Sequence, residues 1–258
     1  MVKTSDRYVV FLDIDGTLMG KNPKALEQNL SIIQKVRSLG HKVLINTGRA
    51  TSYMPKDLNL VKDFDGVVSG AGAIVRLDGK VLSRKLMNFD MVIEACKLFA
   101  DSPILCVLEG EENIYYFAED RLEREGWIRL DKSNYANIIT PDIPVEKFTV
   151  LGTISKEIST ALNEECVLIQ NPAYGEIIRR DCSKASAMKI VADYLDIPMS
   201  HCIAMGDSMN DYDMIEAAGV GVAMGNAIDK IKEIADFTTS DVNEAGVAEA
   251  LIKIFDLK

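Results

Sequence analysis

The chain has 258 residues, 48% of them hydrophobic, and carries a net charge of −10 with a pI near 4.8. That length allows one large α/β domain or a core with a smaller insertion. The acidic balance excludes a protein whose main work is holding nucleic acid or an anionic membrane, since either needs a concentrated basic face. Apolar runs are strand-sized, short of the roughly 20 residues that span a bilayer, and residues 1–7 lack the apolar stretch of a signal peptide. Five cysteines, Cys96, Cys106, Cys166, Cys182 and Cys202, form no Cys-x-x-Cys pair. A disulfide framework or structural zinc site is therefore not expected, and a reducing cytoplasm is. With only His41 and His201 available, both placed at strand entrances, proton transfers and metal contacts fall mainly to carboxylates.

In chain order, Tyr8 to Leu12 is a continuous apolar run, as in a strand buried on both faces of a parallel sheet, and it ends abruptly in Asp13-Ile-Asp15-Gly16-Thr17. A helix follows from about Pro23 to Leu39, with Leu26, Leu30, Ile33 and Val36 at helical spacing and Gly40 as its stop. Lys42 to Ile45 reads as a second strand ending in Asn46-Thr47-Gly48-Arg49, and Gly66 to Ser69 as a third after a short helix. Such alternation implies right-handed βαβ crossovers. Ile74 to Leu77 and Val81 to Ser83 then flank Asp78-Gly79, a hairpin signal that marks the edge of this core. From Arg84 to Arg180 the expected order is helix, strand, strand, helix, a connection through Pro141 and Pro144, strand (148–151), helix, and strands at 167–170 and 176–179, which suits a largely antiparallel α/β insertion. After Lys184 the alternation resumes: a helix to Leu195, a strand from Cys202 to Met205, a helix through Ala218, a strand at Val220 to Ala223 and two more helices.

The chemistry-bearing residues sit where these strands end. Asp13 and Asp15 project two carboxylates from one turn at the carboxyl end of the first strand, the edge at which open α/β sheets bind ligands. A carboxylate can attack phosphorus to give an acyl phosphate, and a second one two residues on can serve the leaving alkoxide and the attacking water in turn. Alone, this is as readily an Asp-rich turn capping a strand. Thr47 and Gly48 lie at the equivalent end of the second strand, where a hydroxyl and N–H groups can hold a phosphoryl oxygen, although Thr-Gly is also a common turn. Lys184 stands at a helix start, where ammonium and helix N-terminus can face an anion, or where a surface lysine simply meets water. Gly206-Asp207-Ser208-Met209-Asn210-Asp211 brings further carboxylates to the same sheet edge, or forms an Asx turn before a helix.

Together, in this order, the four motifs resemble the haloacid dehalogenase-like superfamily. The tail is similar to that of the Cof-type hydrolases: Gly206-Asp207-x-x-Asn210-Asp211, Met214, Ala218-Gly219, Val222-Ala223-Met224, Asn226-Ala227 and Gly246-Val247-Ala248. The resemblance implies a Rossmann-like, doubly wound, mostly parallel core over 1–83 and 181–258, with an inserted α/β cap over 84–180 that selects the substrate. It implies a Mg2+-dependent phosphatase of a small phosphorylated metabolite. A sugar phosphate or phosphorylated cofactor is the expected substrate, and a monomer or weak homodimer without nucleic acid or membrane the expected state. It further implies Asp13 as nucleophile, Asp15 as acid/base, and Thr47, Gly48 and Lys184 as phosphate binders. Asp13, Asp207 and the main-chain carbonyl of Asp15 would hold the metal, with Asn210 and Asp211 in support. The sequence departs from the pattern where Ala185 follows the lysine in place of glycine and where Ser69-Gly70-Ala71-Gly72-Ala73 replaces Ser-Asn-Gly-Ala. A cap holding 17 acidic against 11 basic residues disfavours a polyanionic substrate. Trp127, Tyr115, Tyr116 and Tyr174 are aromatic candidates for stacking or for packing. A phosphomutase or phosphotransferase would use the same acyl phosphate and hand it to a hydroxyl. A receiver-like signalling domain would need neither Asp15 nor so large an insertion.

Overall fold

The computed structural model describes residues 6–56, 58–118 and 124–257, so the first five residues, expected to lack a signal-type apolar run, lie outside the described residues. The chain divides into two compact units, one of residues 1–48, 56–83 and 183–258, the other of residues 49–55 and 84–182. Two short pieces fall differently from the sequence ranges: 49–55, expected with the first segment, and 181–182 both belong to the second unit.

The first unit is built on an eight-stranded sheet: β1 (Val9–Leu12), β2 (Lys42–Asn46), β3 (Gly66–Ser69), β4 (Ile74–Leu77), β5 (Lys80–Arg84), β12 (Cys202–Gly206), β13 (Val220–Ala223) and β14 (Phe237–Thr238). Their spatial order is β14-β13-β12-β1-β2-β3-β4-β5. Strands from β14 to β3 are parallel, and β4 turns back antiparallel on β3. The hairpin after β4 places Asp78 and Gly79 at φ 47° and 75°, as a tight right-twisting turn demands. β1, β2 and β12 are almost wholly buried, which is why they read as unbroken apolar runs. The chain steps from β1 to β2 in one direction and from β12 to β13 in the other, so the order reverses between β1 and β12, where α/β sheets open a crevice. Two helix pairs pack on this sheet's elements: α1 (Pro23–Ser38) with α9 (Gly246–Phe255), and α6 (Lys184–Leu195) with α7 (Tyr212–Ala217). Buried Asn29 joins the first pair, its carbonyl accepting from the Ala248 N–H at 2.9 Å.

The second unit carries a six-stranded sheet, ordered β10 (Cys166–Gln170), β11 (Tyr174–Arg179), β9 (Val145–Leu151), β6 (Cys106–Gly110), β7 (Ile114–Phe117) and β8 (Trp127–Arg129). It is antiparallel except for the β7–β8 pair. Helices α3 (Phe89–Ala100) and α5 (Lys156–Leu162) contribute to a core with Cys106, Leu108, Phe148, Val150 and Ile177. Sequence reading missed β8 and β14, and started β9 at Phe148 where it begins at Val145. All five cysteines are free and buried. Among the described residues no helix is long and apolar enough to cross a membrane.

Candidate active site

Strand register builds the site. Leu12 pairs with Ile45 of β2 and Met205 of β12, so the next residues, Asp13, Asn46 and Gly206, come level at one sheet edge. Asp13 is 3% exposed, and its N–H donates to the Met205 carbonyl at 3.2 Å. The chain after it closes on itself: the Leu18 N–H donates to the Asp13 carbonyl and that of Met19 to Ile14, which fixes Asp15 in an exposed turn. Gly16 sits at φ 77°, and a Cβ there would lie 2.4 Å from the Asp207 carboxylate. Only glycine lets the two segments meet so closely.

Lys184 is the first residue of α6, behind the N-cap Ser183, whose hydroxyl accepts from the Ser186 N–H while the Ser186 hydroxyl accepts from that of Ser183. Its side chain is wholly buried and its ammonium donates to Asp13 Oδ1 at 2.7 Å, Asp211 Oδ1 at 2.5 Å and Asn210 Oδ1 at 3.3 Å. Asp211 turns its other oxygen to the N–H groups of Asp207 and Ser208 at 2.9 and 3.0 Å. One buried carboxylate thus fixes both the lysine and the loop that carries Asp207. Gly206 makes room for it, since a Cβ there would lie 2.4 Å from Asp211. Thr47 and Gly48 are buried at the end of β2, where the Thr47 N–H donates to Val68 and its carbonyl accepts from Ala71, both at 3.0 Å.

The two sequence departures have structural accounts. Ala185 lies inside α6 and its N–H donates to Asp213 Oδ2 at 3.2 Å, so a helical residue serves there without glycine's freedom. In the other stretch Gly70, Ala71 and Gly72 all take positive φ, and a Cβ on Gly72 would lie 2.5 Å from the Ser183 carbonyl. Ala71, at φ 53°, is therefore strained where it holds Thr47.

Oxygens of Asp13, Asp207 and Asp211 all lie within 4.8 Å of one another. Burial pushes the Asp13 carboxyl up to about 7, with Asp211 and Asp207 adding to the rise and Lys184 opposing it. Burial likewise lifts Asp207 to about 7, helped by Asp211 and opposed by the Thr17 hydroxyl and Lys184. Burial works against the Lys184 charge, but Asp13 and Asp211 outweigh it and hold its pKa above the ordinary lysine value. Three carboxylates against one ammonium leave an excess of negative charge on hard oxygen donors, which fits a divalent cation such as Mg2+. Because both Asp211 oxygens are engaged, Asp13 and Asp207 are the pair suited to it.

The structure thus brings Asp13, Lys184, Asp207, Asn210 and Asp211 into one cluster, with Asp15, Thr47 and Gly48 on the adjoining strand ends. Sequence reading assigned no role to Thr17, whose hydroxyl donates to Asp207 Oδ1 at 3.3 Å, or to Asn226, whose amide donates to the Gly16 carbonyl at 2.8 Å. Thr17 was signalled only as the last residue of the Asp13-Ile-Asp15-Gly16-Thr17 motif. In the second unit Tyr115 is a core residue beside α3, and Tyr116 is buried edge-on to Trp127. Trp127 borders a cavity of about 90 Å3 with Tyr53, Glu109 and Thr149, while Tyr174 is 37% exposed.

A sequence model of the haloacid dehalogenase-like hydrolases matches residues 10–251. The chain belongs to this family. It is 30% identical to the 5-amino-6-(5-phospho-D-ribitylamino)uracil phosphatase YitU of Bacillus subtilis, over 97% of this chain and 98% of that one. It is 28% identical to YcsE of the same organism, a phosphatase with the same name, over 95% of each. Among solved structures it is similar to the superfamily phosphatase BT1666 of Bacteroides thetaiotaomicron, with a TM-score of 0.77 and 25% identity over 97% of this chain and 96% of that one. The chain is accordingly an enzyme, a phosphatase of the haloacid dehalogenase type.

Proposed function

We propose that this phosphatase removes phosphate from a small phosphorylated metabolite through an aspartyl phosphate on Asp13, with Mg2+ as its cofactor. The observation that carries the reading is the buried Lys184 ammonium shared by Asp13 and Asp211, with Asp207 oxygens close by. That cluster sets a nucleophile beside an ammonium, and beside carboxylates that would hold a cation, to meet an incoming phosphate. In the first displacement the Asp13 carboxylate forms a bond to phosphorus as the ester P–O bond breaks, and Asp15 gives its proton to the leaving alkoxide. In the second, Asp15 takes a proton from water, whose oxygen bonds to phosphorus and frees Asp13. Lys184, the Thr47 hydroxyl and the Gly48 N–H hold phosphoryl oxygens, while Asn210 and Asp211 keep the lysine and the Asp207 loop in register. Asp13, Asp207 and the Asp15 carbonyl would hold Mg2+, which shields the carboxylate nucleophile from the negative charge of the phosphate.

The second unit is assigned the choice of substrate. Its acidic excess disfavours polyanions, and the names of YitU and YcsE, phosphatases of a small phosphoribitylamino ester, support a sugar phosphate or phosphorylated cofactor as the substrate class. The test is a panel of such esters assayed for phosphate release with and without Mg2+. Release that needs Mg2+ and no acceptor is expected. Transfer only in the presence of an acceptor sugar would favour a phosphotransferase, and no reaction with any ester would contradict the reading.

A further inference from the structure

Asn46 is a buried amide at the end of β2, one residue before Thr47, that the proposed chemistry does not use. Its Nδ2 donates to the main-chain carbonyl of Lys184 at 3.1 Å and lies 3.5 Å from Met214 Sδ. Its Oδ1 has no hydrogen-bond partner and is alone in this among the buried side-chain polar atoms of the described residues. Three segments meet at this one side chain: β2 leading to Thr47, the first turn of α6 with Lys184, and α7, which follows the loop of Asp207 and Asp211.

As a packing residue Asn46 is a poor choice. An unmade bond on a buried acceptor costs more than one neutral hydrogen bond returns, and an apolar side chain of similar size would avoid that cost. Nor does its donor rescue an orphan, because a first-turn helix carbonyl already receives an N–H from the next turn. What the bond adds is position. It ties the Lys184 backbone to the strand end that is level with Asp13, and the lysine ammonium 2.7 Å from Asp13 depends on where that backbone stands.

We infer that Asn46 is a positioning residue, whose amide sets the start of α6 against the end of β2 so that Lys184 and Thr47 address one phosphoryl group together. The inference rests on the phosphatase reading above. Small displacements of reacting groups lower turnover far more than they lower binding, so the effect belongs in kcat.

The test compares Asn46→Ala and Asn46→Leu with the parent enzyme, using the best ester from the substrate panel. Asn46→Leu is expected to keep a Tm equal to or above the parent's and Asn46→Ala to lose some Tm to the void it leaves, while both lose about 10-fold in kcat per folded site and change KM by less than about twofold. Leucine fills the volume but cannot donate, so it should fail to restore turnover. Amide hydrogen exchange over residues 183–187 should quicken in both variants, a readout independent of activity. If Asn46→Leu turned over at the parent rate, or if lost turnover followed lost Tm in both variants, Asn46 would be a packing residue and the inference would fall. A parent enzyme that releases no phosphate from any ester would instead remove the phosphatase reading itself.

Discussion

Lys184 in the first unit and Lys147 in the second are both buried against two carboxylates, yet their settings differ in kind. Lys147 lies mid-strand on β9, directly opposite Glu109 of β6, and forms an ion pair with Glu176 of β11. Its Glu109 partner also accepts from the Thr149 hydroxyl at 2.5 Å. These are neighbours fixed by sheet register, and burial of the Lys147 charge is outweighed by Glu109 and Glu176, which keep its pKa above the usual value. Lys184 instead stands at a helix start and meets residues delivered by a separate strand end and loop, with a third carboxylate, Asp207, nearby. The larger surplus of negative charge, three carboxylates to one ammonium against two to one, and not the buried ion pair as such, separates a cluster suited to a cation from one held by sheet register.

The largest expected effect breaks the comparison at its centre. Asp13→Asn should abolish turnover, a loss of at least about 10^4-fold, while its far-ultraviolet circular dichroism and Tm stay near the parent's, since the amide keeps the shape and loses the nucleophile. Undiminished turnover would take Asp13 out of the mechanism. Next, Lys147→Met and Lys184→Met should each destabilise the fold, by about 3–5 kcal/mol for Lys147, because two buried carboxylates lose their partner. Thermal melts should show Mg2+ raising the Tm of Lys184→Met by more than it raises the parent's, and that of Lys147→Met by no more than the parent's; equal gains in the two variants would erase the distinction drawn above.

A smaller effect tests the raised carboxyls. Asp13 and Asp207 titrate near 7 in the folded protein, above the ordinary aspartate value, so the fold favours their protonated forms. Their contribution to stability is therefore fully present below the unfolded pKa and lost as pH rises through about 7. Mg2+ must bind the ionised forms, so the Tm increase it produces should be larger at about pH 8 than at about pH 6. A pH-independent increase would place the ion elsewhere. Smallest is Ala71→Gly, expected to stabilise by about 1 kcal/mol by relieving the positive φ, as read by chemical denaturation.

Much of this was legible in the sequence where a local rule decides the outcome. The apolar run of β1 stopping at Asp13, the Asp78-Gly79 turn and the strand before Gly206 each announce themselves through burial or φ. β14, only two residues long, is too short to show a pattern, and β8 follows a charged stretch that masks its three residues. Membership of 49–55 in the second unit is a tertiary fact with no local signature. In the site, the spacing of Asp207 and Asp211 showed that both reach one loop, but not that Asp211 would spend one oxygen on Lys184 and the other on that loop's backbone. Asn46 gave no signal at all, because a single asparagine at a strand end commonly makes a turn.

The central claim, that Asp13 takes the phosphoryl group before water does, is tested most directly by the stereochemical course at phosphorus. Hydrolysis of an ester made chiral at phosphorus with sulfur and heavy-oxygen labels should proceed with net retention, since two in-line displacements each invert the centre. Net inversion would mean that water attacks the ester in a single step, with no phosphorylated Asp13 on the path.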